Sequence, residues 1–113
     1  MQWNIADITG LIKTWANKSE NVQRVLLAGS CARMIATNRP IGRSDVDLIV
    51  FVTDLSVSNG DVHALSELGL SIGVLIHPLI ISSEDAEMKG CIAEYRHMIE
   101  TSVPIYTEDN ENV

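Results

Sequence analysis

The chain has 113 residues, 46% of them apolar, and a formal net charge of −7. That length allows one domain with one core, and that composition excludes a disordered chain. The negative balance excludes extensive binding to a nucleic-acid backbone, which needs clustered Lys and Arg.

No apolar run approaches the ~20 residues of a membrane span, and the start Met1-Gln2-Trp3-Asn4 lacks the pattern of a signal peptide. A cytoplasmic protein without membrane attachment is expected. Cys31 and Cys91 stand outside any C-x-x-C pattern and have no His at zinc-ligand spacing, so reduced thiols are expected.

Ile5, Ile8, Leu11, Ile12 and Trp15 recur with helical spacing, with Asn4 as the expected cap and Asn17–Asn21 as the exit loop. Val22–Ala28 reads as a buried strand ending at Gly29, and Ala32–Ala36 as a helical turn after it. Thr37–Ser44, with Asn, Pro and Gly, reads as loop. Val46–Val52 carries the clearest strand pattern. A link over Asp54–Gly60 precedes a short helix over Asp61–Leu68, with Gly69 as its stop. Ile72–Ile81 reads as another strand, kept from a central position by Pro78. Ser83-Glu84-Asp85 has the form of a capped helix start, and that helix is expected to reach about Ser102 before Pro104, with Ile92, Tyr95 and Ile99 on its buried side. The tail over 107–113 is expected to be flexible. The order helix, strand, loop, strand, helix, strand, helix predicts an α/β (α+β) domain over 1–113, a small mixed sheet flanked by helices.

The chemistry concentrates between the first two strands. Alternate strand residues share a face, so Asp45 and Asp47 present two carboxylates side by side. Like charges that close call for a cation or a proton between them. Mg²⁺ suits such a site because it commonly takes one or two carboxylates plus substrate phosphates. Upstream, Gly29 allows close backbone approach, and Ser30 with the following N–H groups can donate to phosphate oxygens. Arg33 either reaches a phosphate or neutralises the acids; Arg39 and Arg43 read as loop charges.

Leu26-Leu27-Ala28-Gly29-Ser30-Cys31-Ala32-Arg33, followed by Ser44-Asp45-Val46-Asp47-Leu48-Ile49-Val50, resembles the signature of the minimal nucleotidyltransferases of the DNA polymerase beta superfamily. The resemblance runs from the opening helix to Ile105-Tyr106. It implies a nucleotidyltransferase fold, a nucleoside triphosphate donor (often ATP), and Mg²⁺ held by Asp45 and Asp47. Members of this size often modify a hydroxyl of a partner protein, typically a small helical toxin encoded beside them. Such an acceptor, or another copy of the chain, is expected to supply the acceptor platform that 113 residues leave no room for. The chain departs from the family pattern at Met34, where Gly is usual, and in the longer link over Ile35–Arg43. Active members also carry a third carboxylate on a later strand. Here Ile72–Ile81 contains no acid, and His77 falls near that place. His77 reads either as a replacement base or as a strand histidine satisfied within the fold. Two functions therefore stand open: transfer of a nucleoside monophosphate, or a weak or inactive module that covers a partner's active site.

Overall fold

The computed structural model describes residues 5–29, 31, 32, 45–82 and 93–107. Helix α1 (Ile5–Asn17) leads into strand β1 (Val22–Ala28). Strand β2 (Val46–Val52) is followed by a 3₁₀ turn (Leu55–Val57) and helix α2 (Ser58–Ser71). Strand β3 (Ile76–Ser82), helix α3 (Ala93–Glu100) and strand β4 (Val103–Thr107) complete the chain.

The four strands form one mixed sheet in the order β3-β2-β1-β4. β1 runs antiparallel to β2 and β4, while β2 and β3 are parallel. Parallel neighbours need a crossover, and the 3₁₀ turn with α2 supplies it. The two strands richest in buried aliphatic residues take the centre, whereas β3 and β4, with Pro78 and Pro104, take the edges. That placement follows from proline's missing N–H.

Strand alternation divides the apolar residues between two faces. On one, Ile8, Ile12, Trp15 and Ala16 of α1 and Leu65 of α2 pack with Val25, Leu27, Val46, Leu48 and Val50. On the other, Leu26, Ala28, Ile49, Phe51 and Ile81 are joined by Leu79 and by Met98 and Ile99 of α3. Asp47 belongs to this second face, because it alternates in step with Ile49 and Phe51.

β1 and β2 occupy the expected ranges. α2 is longer than the expected Asp61–Leu68 at both ends. The Asp54 carboxylate accepts from the Ser56 N–H at 2.9 Å and from its hydroxyl at 2.7 Å, and Ser58 Oγ donates to the Leu55 carbonyl at 2.8 Å, which starts the helical winding early. Hydrogen bonding to Ser56 also holds the Asp54 carboxyl below the usual carboxylate range. Gly69 is buried inside the helix instead of ending it, and the chain turns at Gly73, φ +76. The run Ile72–Leu75 is consequently turn and approach, and β3 begins only at Ile76. β4 was not expected; a five-residue strand interrupted by Pro104 leaves little periodicity to read. α3 ends at Glu100, two residues short of Ser102, and Thr101 and Ser102 bond back to His97 and Ile99. Asn4, Ala36, the loop over 37–44, the expected helix start at Ser83, Ile92 and the tail from Glu108 lie outside the described residues. No helix among the described residues is long and apolar enough to cross a membrane.

Gly69 shows how closely α2 meets the β3 approach. A Cβ there would lie 2.6 Å from the Val74 carbonyl oxygen and 3.0 Å from Ile76 Cγ1. Backbone cannot move aside as a side chain can, so Gly69→Ala is expected to destabilise the fold by about 1–3 kcal/mol. Urea unfolding monitored by Trp fluorescence measures that loss.

Candidate functional site

Three strand ends meet at one end of the sheet. β1 finishes at Ala28, whose partner across the antiparallel ladder is Asp47. Asp47 is in turn paired with His77 across the parallel ladder. Asp45, two residues earlier, lies immediately before β2. Register therefore brings the end of β1, the Asp pair and His77 together, although they are far apart in sequence.

Gly29 has φ +67, a left-handed conformation that L side chains rarely adopt. A Cβ on it would lie 2.6 Å from Asp47 Oδ2. The carboxylate thus occupies the space left by the missing side chain. Asp47 is half-buried as a result, while the Asp45 side chain is 50% exposed. His77 Nε2 lies 3.2 Å from Asp45 Oδ2, and its ring is 56% exposed.

Cys31 and Ala32 follow the turn in helical conformation, both buried. The Cys31 thiol donates to the Asp45 carbonyl at 3.4 Å, tying the turn to the entrance of β2. Burial pushes the thiol pKa up, and the negative charges of Asp47 and then Asp45 push it further the same way. Cys31 packs beneath the site as a neutral group and does not line it.

Gly29, Asp47, His77, Pro78, Leu79 and Met98 border a cleft of about 570 Å³. Leu79 and Met98 form its apolar side. Met98 was missed in the sequence, because helical spacing in α3 points to Ile99 without showing which sheet face the helix covers. A second groove, about 420 Å³, lies between α1 and α2 beside Trp15, whose indole N–H donates to the Asp61 carbonyl at 2.9 Å. Among the described residues its lining holds one acid, Asp61. Ser30, Arg33, Arg39 and Arg43 lie outside the described residues. His63 pairs with Glu67 at 3.1 Å on the exposed side of α2, away from the cleft.

Among the described residues, no three or more His, Cys, Asp or Glu are grouped so that they could hold a metal ion. The oxygen donors at this end of the sheet are the half-buried Asp47 carboxylate and the half-exposed Asp45 carboxylate, with the His77 imidazole against the latter. Hard oxygen donors in that number fit Mg²⁺, whose remaining positions are commonly taken by water and phosphate oxygens.

No family model matches the chain, and no curated protein does. A solved structure does: the crystal structure of the toxin–antitoxin MntA–HpeT, in a mutant with two aspartates, two positions apart, replaced by glutamate. The superposition covers 94% of this chain and 75% of that chain, with a TM-score of 0.53 and 16% identity. The likeness is one of fold. The chain has a nucleotidyltransferase-like fold, a mixed four-stranded sheet flanked by helices.

Two outcomes follow from the packing at this end of the sheet. Gly29→Ala is expected to cost about 1–2 kcal/mol from backbone conformation alone, and more from displacement of the Asp47 carboxylate; thermal unfolding of the variant reads the loss. For Cys31, the folded-state pKa is raised, so the unfolded chain releases this proton first as pH climbs. Stability is therefore full below the ordinary thiol value of about 8.5 and declines above it. Urea midpoints at about pH 7 and about pH 9.5 are expected to differ more for the wild type than for Cys31→Ala.

Proposed function

We propose that this chain binds a nucleoside triphosphate with Mg²⁺ and transfers a nucleoside monophosphate to a hydroxyl of a partner protein, as the antitoxin of a toxin–antitoxin pair. The observation that carries the reading is the convergence of Gly29, Asp47 and His77 on one open cleft, with the Asp45 carboxylate 3.2 Å from the His77 ring. The toxin–antitoxin complex that shares the fold supports a protein partner, and its two replaced aspartates have the spacing of Asp45 and Asp47.

In this reading Gly29 lets the phosphate chain approach the backbone at the end of β1. Asp45 and Asp47 would hold the cation, which supplies charge neutralisation between carboxylates and polyphosphate. The apolar side of the cleft, Leu79 and Met98, excludes water from part of the bound nucleotide. The acceptor hydroxyl oxygen forms a bond to the α-phosphorus, the bond from that phosphorus to the bridging oxygen breaks, and pyrophosphate leaves with the electron pair. The hydroxyl proton passes to water, since β3 offers no carboxylate and His77 Nε2 is engaged with Asp45. A positioned base is typically worth ~10²–10⁴-fold, so transfer is expected to be slow by that factor.

One observation favours a second reading: the β3 residue paired with Asp47 is His77 and not an acid. A module that binds its partner without chemistry would tolerate that replacement. The two readings separate with labelled ATP, Mg²⁺ and the partner protein. Transfer predicts that the label enters the partner with wild type, becomes undetectable with Asp47→Asn, and requires the metal. His77→Asp is expected to raise the rate. Equal neutralisation of the partner by all three proteins, with no label incorporated, would establish the covering module instead.

A further inference from the structure

We infer that Met98 of α3 is the nucleobase contact of the cleft: the base lies against a wall of Met98 and Leu79, which prefers purine to pyrimidine triphosphates. This rests on the nucleotide reading above and specifies the class of nucleotide that site takes.

The polarity of the cleft changes along the strands. Register sets Ala28, Asp47 and His77 in one row across the sheet, and Leu26, Ile49 and Leu79 in the next row on the same face. Two residues of a parallel strand advance about 6.6 Å, so the polar row gives way to an apolar one over that distance. α3 lays Met98 on the apolar cluster to which the second row belongs, and Leu79 and Met98 together border the cleft. A nucleoside triphosphate has the same division, with charged phosphates at one end and a flat ring with apolar faces at the other. With the phosphates at Gly29 and Asp47, the ribose spans the step between the rows and the base meets Leu79 and Met98.

Space and surface chemistry agree with that placement. Leu79 and Met98 are only partly buried against the core, so each keeps surface open to the cleft. The cleft's volume of about 570 Å³ lies within the ~300–1,000 Å³ that small-molecule sites occupy. Methionine is unbranched and polarizable, adapts its shape to what it packs on, and makes favourable sulfur contacts with aromatic rings. Apolar attraction grows with the area removed from water, so a two-ring purine gains more on this wall than a one-ring pyrimidine. Neither side chain carries a hydrogen-bond donor for the base edge, so the wall selects by ring size.

The test uses the full chain and needs no transfer activity. Binding of ATP, CTP and inorganic tripolyphosphate, each with MgCl₂, is measured by calorimetry. Wild type, Met98→Ala, Met98→Leu and Asp47→Asn are compared, with thermal unfolding as a control for the fold. Wild type is expected to bind ATP at least about threefold more tightly than CTP. Met98→Ala is expected to weaken ATP binding about five- to tenfold, and tripolyphosphate binding less than about twofold. A direct reading comes from the wild type with its four methionines ¹³C-labelled at the methyl group. The methyl resonance that is missing from Met98→Leu is expected to move upfield with ATP, under the ring current of the base, and to stay in place with tripolyphosphate. Equal affinity for ATP and CTP, a Met98 methyl indifferent to ATP, or equal weakening of ATP and tripolyphosphate by Met98→Ala would overturn the inference. Loss of ATP binding in Asp47→Asn would then leave the nucleotide site standing. ATP binding insensitive to Asp47→Asn as well would overturn both.

Discussion

The carboxylate of Asp47 lies where a side chain at residue 29 would lie, and much of the cleft depends on that exchange of space. β1 can end against β2 only because the residue after Ala28 carries no Cβ and can take φ +67. The same turn carries the chain into the buried Cys31 and Ala32, and the Cys31 thiol reaches the carbonyl of Asp45. A larger residue at 29 would strain this left-handed backbone and push the Asp47 carboxylate out of the space it fills. The two halves of the site are thus one packing unit, although fifteen residues stand between Gly29 and Asp45 in sequence.

The sheet adds a second constraint. Asp45 and Asp47 extend the row that continues as Ile49 and Phe51, so two acids share a face with core residues. They escape full burial because they stand at the sheet's end, where α3 covers Ile49 through Met98 and Ile99 and leaves the acids to the cleft. β3 enters parallel to β2 and sets His77 beside them. A one-residue slip of β3 would turn His77 to the opposite face and replace it with Ile76 or Pro78. The apolar side chains of β3 guard against that slip, since Leu79 and Ile81 would lose their contacts with the second core.

The sequence is legible where pattern and structure coincide. Val22–Ala28 and Val46–Val52 are dense in β-branched and aliphatic residues, and both became central strands over the same ranges. Pro78 placed its strand at an edge, which is where β3 lies. The proximity of Gly29 to the Asp pair was readable only as a motif, because register between β1 and β2 has no local signal. The extent of α2 was hidden by Gly69, a residue usually associated with helix ends, which is retained in the helix to admit the Val74 carbonyl. β4 is too short, and too broken by Pro104, to show a period of two. Met98 and the contact between His77 and Asp45 depend on how elements meet across space, which spacing along the chain does not encode.

The charge of the whole protein bears on which form of a ligand can enter. A net charge of −7 on 113 residues, with Asp47 in the cleft and Asp45 against its His77, repels a free polyphosphate. Binding a divalent ion to the phosphates halves the repelled charge of a tetraanion, and binding it to the acids removes the local repulsion. Under the proposed reading, either order would make cation and nucleotide mutually dependent, since each would supply charge that the other's site lacks. The same field disfavours a nucleic-acid backbone and favours a partner that brings basic residues to the cleft. An acceptor hydroxyl on a basic protein surface would therefore approach along an attractive field, whereas one on an acidic surface would need the bound cation to screen it.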